Sequence, residues 1–179
     1  MYPETLNRFG PAGWLVLIDG TLGRSDLDKL YRKHAPKGAP QPNRLARHQV
    51  VGAVVGHALK RAQTGQSDSL HTLAQLADKR SQTEAKLLAN LQAEEAVDKL
   101  HTYGGMQFKR QRSRMVWAAL SDPREAVIQA ATQMLEKLLN AAQQGEEKVI
   151  VPAPKITGAG RQIPRLNAGD DSAKIGKLR

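Results

Sequence analysis

The chain has 179 residues, a net charge of +10 and no cysteine. The missing cysteine excludes disulfides and thiolate metal sites and fits a reducing cytoplasm. The length suits one domain with tails, or two very small ones.

Only seven residues are Phe, Tyr or Trp. The core must therefore come from Leu, Val, Ile and Ala, which favours helices. The expected fold is mainly α, a small helical bundle with at most a minor two-stranded β element and a disordered basic C-terminal tail. The charge is segregated. Residues 24–61 carry +7, residues 106–120 carry +4 and residues 151–179 carry +4, while every other stretch is net negative. Blocks of one sign set up a field that attracts polyanions, and nucleic acid is the first candidate.

Tyr2-Pro3-Glu4 lacks the basic start of a signal peptide. The apolar run Trp14-Leu15-Val16-Leu17-Ile18, closed by Asp19-Gly20, reads as a short buried strand. Its candidate partner is Val149-Ile150-Val151. A helix is predicted over 25–34, then linker chemistry at Pro36, Gly38, Pro40 and Pro42. With Asn43 as N-cap, a helix should run from about Arg44 to Gln63 and end near Gly65. Within it Gly52 and Gly56, four apart, would permit close approach of another element or of a second copy. The stretch Val50–Leu59 is the longest apolar one, and it falls short of the ~20 residues that span a bilayer.

Residues 70–79 and 83–103 read as two helices separated by Arg80-Ser81-Gln82. Residues 106–120 can be read as helix or hairpin, and the helical reading is preferred. Over 122–144, Asp122 at N-cap, Pro123 at N1 and Glu125 at N3 predict a capped helix ending at Gly145. The domain reading is an N-terminal strand, helix and linker over 1–42, a helical core over 43–150 and a basic tail over 151–179.

Four features bear on chemistry. Thr72–Ala77 and Thr83–Leu88 resemble a helix-turn-helix, with 104–118 as a wing; Gln82, Thr83 and Lys86 would then face the bases. Against this, Arg80 takes the place of the apolar residue expected before the turn. The second helix also carries Glu84, Glu94, Glu95 and Asp98. Phe108-Lys109-Arg110-Gln111-Arg112-Ser113-Arg114 combines four cations with an aromatic, suited to phosphate contact and base stacking. Arg32 and Lys33 form a smaller basic pair, which Arg44, Arg47, Lys60 and Arg61 extend.

Val16–Leu22 resembles the first motif of haloacid-dehalogenase-type phosphotransferases. Leu17 stands where their nucleophilic aspartate would be, so no aspartyl-phosphate can form. The five histidines show no helical metal-pair spacing, and no metal or cofactor is expected.

The sequence thus reads as a non-enzymatic, cytoplasmic nucleic-acid-binding regulator or accessory factor, of the kind a bacterial plasmid or phage carries. The alternative is an interaction module whose basic face docks an acidic protein partner. In that alternative the Gly52/Gly56 face and the apolar stripe of 122–144 would serve homo-oligomerisation.

Overall fold

The computed structural model describes residues 3–149. Among them the expected helical class is observed, without strands. The helices are α1 (Glu4–Arg8), α2 (Gly10–Thr21), α3 (Arg24–His34), α4 (Arg47–Gln63), α5 (Asp68–Arg80), α6 (Gln82–Ala89), α7 (Ala93–Gly104), α8 (Lys109–Leu120) and α9 (Glu125–Val149). A single 3-10 turn, Pro42–Arg44, precedes α4.

The organising element is α8. Its second half, Met115 to Leu120, is buried at every position. A helix apolar all round must be surrounded, and α8 packs against α2, α5, α6, α7 and α9. One apolar cluster runs from Leu6 to Leu135, so residues of the first 42 positions share the core of the rest. Its largest pair is Trp14 and Trp117, edge to face with ring centroids 5.8 Å apart. Trp117 Nε1 donates to Asp78 Oδ1 on α5.

The expected strand at 14–18 is helix. Trp14, Leu17 and Ile18 are buried at helical spacing, while Leu15 is partly exposed. The helix begins upstream at Gly10-Pro11, where proline lacks an N–H that would have no partner in any case. Gly10, Pro11 and Gly13 read as turn residues and hide three positions of the repeat. The proposed β pairing is therefore absent: Val149 is the last residue of α9, and residues 150–151 lie outside the described residues, as does the basic tail.

Other boundaries move for local reasons. Asn43 is not a cap. Residues 42–44 make the 3-10 turn, and the N–H of Ala46 donates to Gln49 Oε1 at the start of α4. The predicted 83–103 helix is two, α6 and α7, broken at Asn90–Gln92. Gln92 N–H donates to Glu95 Oε2 at the new start, and Arg124 donates to the carbonyls of Leu88 and Leu91 at the old end. Asp122 is not the N-cap of α9: its carboxylate accepts from the amide and side chain of Arg124, whose carbonyl takes the first helical bonds, so α9 starts at Glu125. It runs through Gly145 rather than ending there.

Gly52 and Gly56 make no close approach among the described residues. A Cβ at either would meet nothing within 4 Å. The close approach belongs to Gly20, which abuts Ser113 of α8.

Arginines close the ends of these helices. Arg47, first in α4, donates to Asp19 Oδ1 (2.8 Å), to the carbonyl of Asp19 and to the carbonyl of Leu22 (2.7 Å). These carbonyls lie at the C-terminal, negative end of α2. Arg24 likewise joins the start of α3 to the carbonyls of Pro42 and Leu45. Arg47→Met is expected to lower stability by about 1–2 kcal/mol, since it removes bonds from a charged donor at a partly solvated site. Urea titration measures this.

Candidate nucleic-acid interface

α2 and α8 run antiparallel. Trp14 meets Trp117, and Gly20 meets Ser113 six residues further along one helix and four back along the other. The N-terminus of α8 therefore lies beside the C-terminus of α2. Arg47 ties the start of α4 to that same end. The basic run 109–114 and the 44–47 cations, distant in sequence, are thus gathered at one end of the bundle.

Within this cluster the side chains differ in freedom. Phe108 is 70% exposed, the largest exposure of any big apolar residue described. Lys109 and Arg110 are exposed, as is Arg44 in the 3-10 turn. Arg112 and Arg114 are half-buried and reach the Met106 carbonyl (3.5 Å) and the Thr21 carbonyl (3.4 Å) at long range. Phe108 occupies the N-cap of α8 without a side-chain cap, and the first turn holds no acid. Unpaired helix N–H groups and four cations therefore add fields of the same sign. Beside them is a groove of about 220 Å³, lined by Val16, Asp19, Lys109, Arg112, Leu138 and Ala142. Its carboxylate, Asp19, is already paired with Arg47.

The second basic group is separate. Arg32 and Lys33 are exposed in the last turn of α3, and Lys60 is exposed near the end of α4. Arg61 Nη2 meets both carboxylate oxygens of Asp68 at 3.1 Å, which holds that carboxyl below its usual range. Thirteen residues of helix put Lys60 about 20 Å from Arg47 along α4.

Of the predicted cations, Arg47 has a structural role and Arg61 is paired. Gln82, Thr83 and Lys86 are exposed on α6 but lie apart from the basic end. Gln82 lines a shallow pocket with Asp78, Ala118 and Asp122, at the other end of α8, about 13 Å along the axis from Lys109. The region expected to form a wing, 104–118, holds most of α8, the core helix.

The fold also creates a histidine pair. His34 of α3 and His57 of α4 stack with centroids 4.5 Å apart and planes at 23°. Twenty-three residues separate them, so no spacing rule marks the pair in the sequence. Burial above all, then the charges of His57, Lys33 and Arg61, hold the His34 imidazole below its ordinary value of 6.5, while Asp68 acts the other way. The unfolded chain then takes up this proton at higher pH than the folded one. Stability should fall as pH drops below 6.5 and level off once the folded imidazole titrates. His34→Phe is expected to flatten that part of the profile, as read from melting temperatures between about pH 7 and pH 5.

Among the described residues no group of His, Asp and Glu could hold a metal ion, and no helix is long and apolar enough to cross a membrane. No protein-family model matches the chain, and neither a curated protein nor a solved structure matches it.

Proposed function

We propose that the chain is a non-enzymatic nucleic-acid-binding protein that holds phosphates at the N-terminal end of α8. The observation that carries this reading is the exposed Phe108 standing beside exposed Lys109 and Arg110 at an uncapped helix start. Cations neutralise phosphates, and an aromatic face stacks on bases without regard to their identity. Arg44, Arg112 and Arg114 widen the patch. The placement of Gln82, Thr83 and Lys86 away from it argues for backbone contact over a reading helix in the major groove.

The test is a binding titration of the full chain against duplex DNA, single-stranded DNA and RNA. Lys109→Glu with Arg110→Glu should weaken binding sharply, because both side chains are exposed and reversal adds repulsion. Phe108→Ala should weaken single strands more than duplex. Undiminished binding by the charge-reversed chain would sink the reading.

A second reading rests on the groove between α2, α8 and α9. Its apolar Val16, Leu138, Ala141 and Ala142 beside Lys109 and Arg112 suit an acidic protein segment with an apolar anchor. Such a partner would be far less sensitive to salt.

A further inference from the structure

The α3–α4 cleft carries features that the α8 patch does not use. A cavity of about 240 Å³ opens between Tyr31, His34, Ala53, Val54, His57 and the Ala35–Ala39 loop. Three of its walls are aromatic rings, in a chain that has few of them. The remaining walls are apolar. The volume lies below the range of roughly 300–1,000 Å³ usual for larger ligands, which suits a single heterocycle. Cations stand near these residues in the chain: Lys33 precedes His34, and Lys60 and Arg61 lie one turn beyond His57. Lys33 and Lys60 are exposed.

We infer that this cleft receives the base of one unpaired nucleotide from a single strand, stacked against Tyr31, His34 and His57, with its phosphate on Lys33 and Lys60. The inference rests on the nucleic-acid reading above and adds a preference for single-stranded over duplex ligands. A base held in a duplex cannot enter a cavity of this size, whereas unstacked bases are commonly held by aromatic and imidazole rings. The His34 imidazole, which burial above all holds below its ordinary value, presents a flat stacking face.

Two experiments on the full chain separate this claim from the wider one. In the first, the imidazole resonances of His34 and His57 are followed by NMR during addition of adenosine monophosphate, uridine monophosphate or ribose 5-phosphate. The mononucleotides should shift both histidines, and ribose 5-phosphate should shift them much less. Equal shifts from ribose 5-phosphate would reveal an anion site that ignores the base, and overturn the inference, as would no shift from any ligand. In the second, Ala53→Phe places a ring at the cavity mouth from an exposed helix position. Single-strand affinity should fall about tenfold more than duplex affinity, the lower end of what one stacked base contributes. Equal losses for the two ligands, or none, would overturn the inference while leaving α8 binding in place. Tighter binding of the mononucleotide than of a single-stranded oligonucleotide would overturn the assignment to a strand. If Lys109→Glu with Arg110→Glu leaves all binding intact, the wider reading fails instead, and the NMR titration still reports on the cleft.

Discussion

Trp117→Ala should cost about 3–5 kcal/mol, the range for truncating a large buried aromatic. A domain of this size holds only about 5–15 kcal/mol in total, so the variant should be largely unfolded in mild denaturant. Trp117 is fully buried on the central helix, meets Trp14 edge to face, and donates its indole N–H to Asp78. Truncation removes all three at once and opens a cavity on the helix against which five others pack. Trp117→Phe keeps a ring but removes the donor. Its cost should be much smaller, because Asp78 is exposed and water can replace the indole. A urea titration of both variants separates packing from hydrogen bonding. Similar midpoints for Trp117→Ala and the parent chain would contradict the central place given to α8.

Gly20→Ala is the second large effect, and its sign runs against helix propensity. Replacing glycine inside a helix ordinarily gains up to about 1 kcal/mol. Here the new Cβ would lie within the van der Waals envelope of the Ser113 Oγ and Cβ. Ser113 is itself buried, so it cannot swing into solvent. Overpacking of this kind costs about 1–3 kcal/mol, and the net change should be a clear loss. Ser113→Gly removes the obstructing atoms, and the next neighbour, the Lys109 carbonyl, is 3.7 Å away. The pair should therefore be strongly coupled: Gly20→Ala should be nearly harmless, or stabilising, in a Ser113→Gly background. A double-mutant cycle by chemical denaturation measures that coupling. Additive effects would show that α2 and α8 do not meet at this point. Because the same seam brings Asp19 and the α8 cations together, its loosening should also weaken binding.

The helical class is legible in the sequence because leucine, valine and alanine recur at helical spacing through most of the chain. The predicted helix at 25–34 appears as α3, and that at 70–79 lies inside α5. Gly65, with φ +80°, follows α4 as expected. The sequence misleads where a local signal is outweighed by distant partners. The run at 14–18 is too short to declare a period, and only burial against Trp117 identifies it as helix. The break at Asn90 has no proline or glycine to mark it. It is fixed in part by Arg124, whose guanidinium meets the Leu88 and Leu91 carbonyls from more than thirty residues away.

The candidate site is legible only as charge. A sequence shows that Lys109, Arg110, Arg112 and Arg114 have no acidic neighbour in the chain. It does not show that Arg47 is committed to the end of α2, or that Arg61 is committed to Asp68. It equally hides the meeting of His34 and His57, because the 35–46 loop that returns the chain to the start of α4 has no helical repeat. Gly52 and Gly56 mark the converse case. Their spacing suggests a packed face, yet the described residues leave that face open.

The most direct test of the phosphate-binding claim is the salt dependence of affinity for a labelled single strand, measured by fluorescence anisotropy. The parent chain would be compared with one carrying Lys109, Arg110, Arg112 and Arg114 all changed to Ala, after melting curves confirm that both are folded. The basic residues of 151–179 are present in both chains, so the difference reports on α8. Affinity of the parent should fall steeply as salt rises, and the logarithmic slope should flatten by about 0.7 for each phosphate no longer neutralised. With four cations removed, the slope should become shallower by roughly 2–3 and low-salt affinity should collapse. An unchanged slope and affinity would contradict the account and move any binding to another part of the chain.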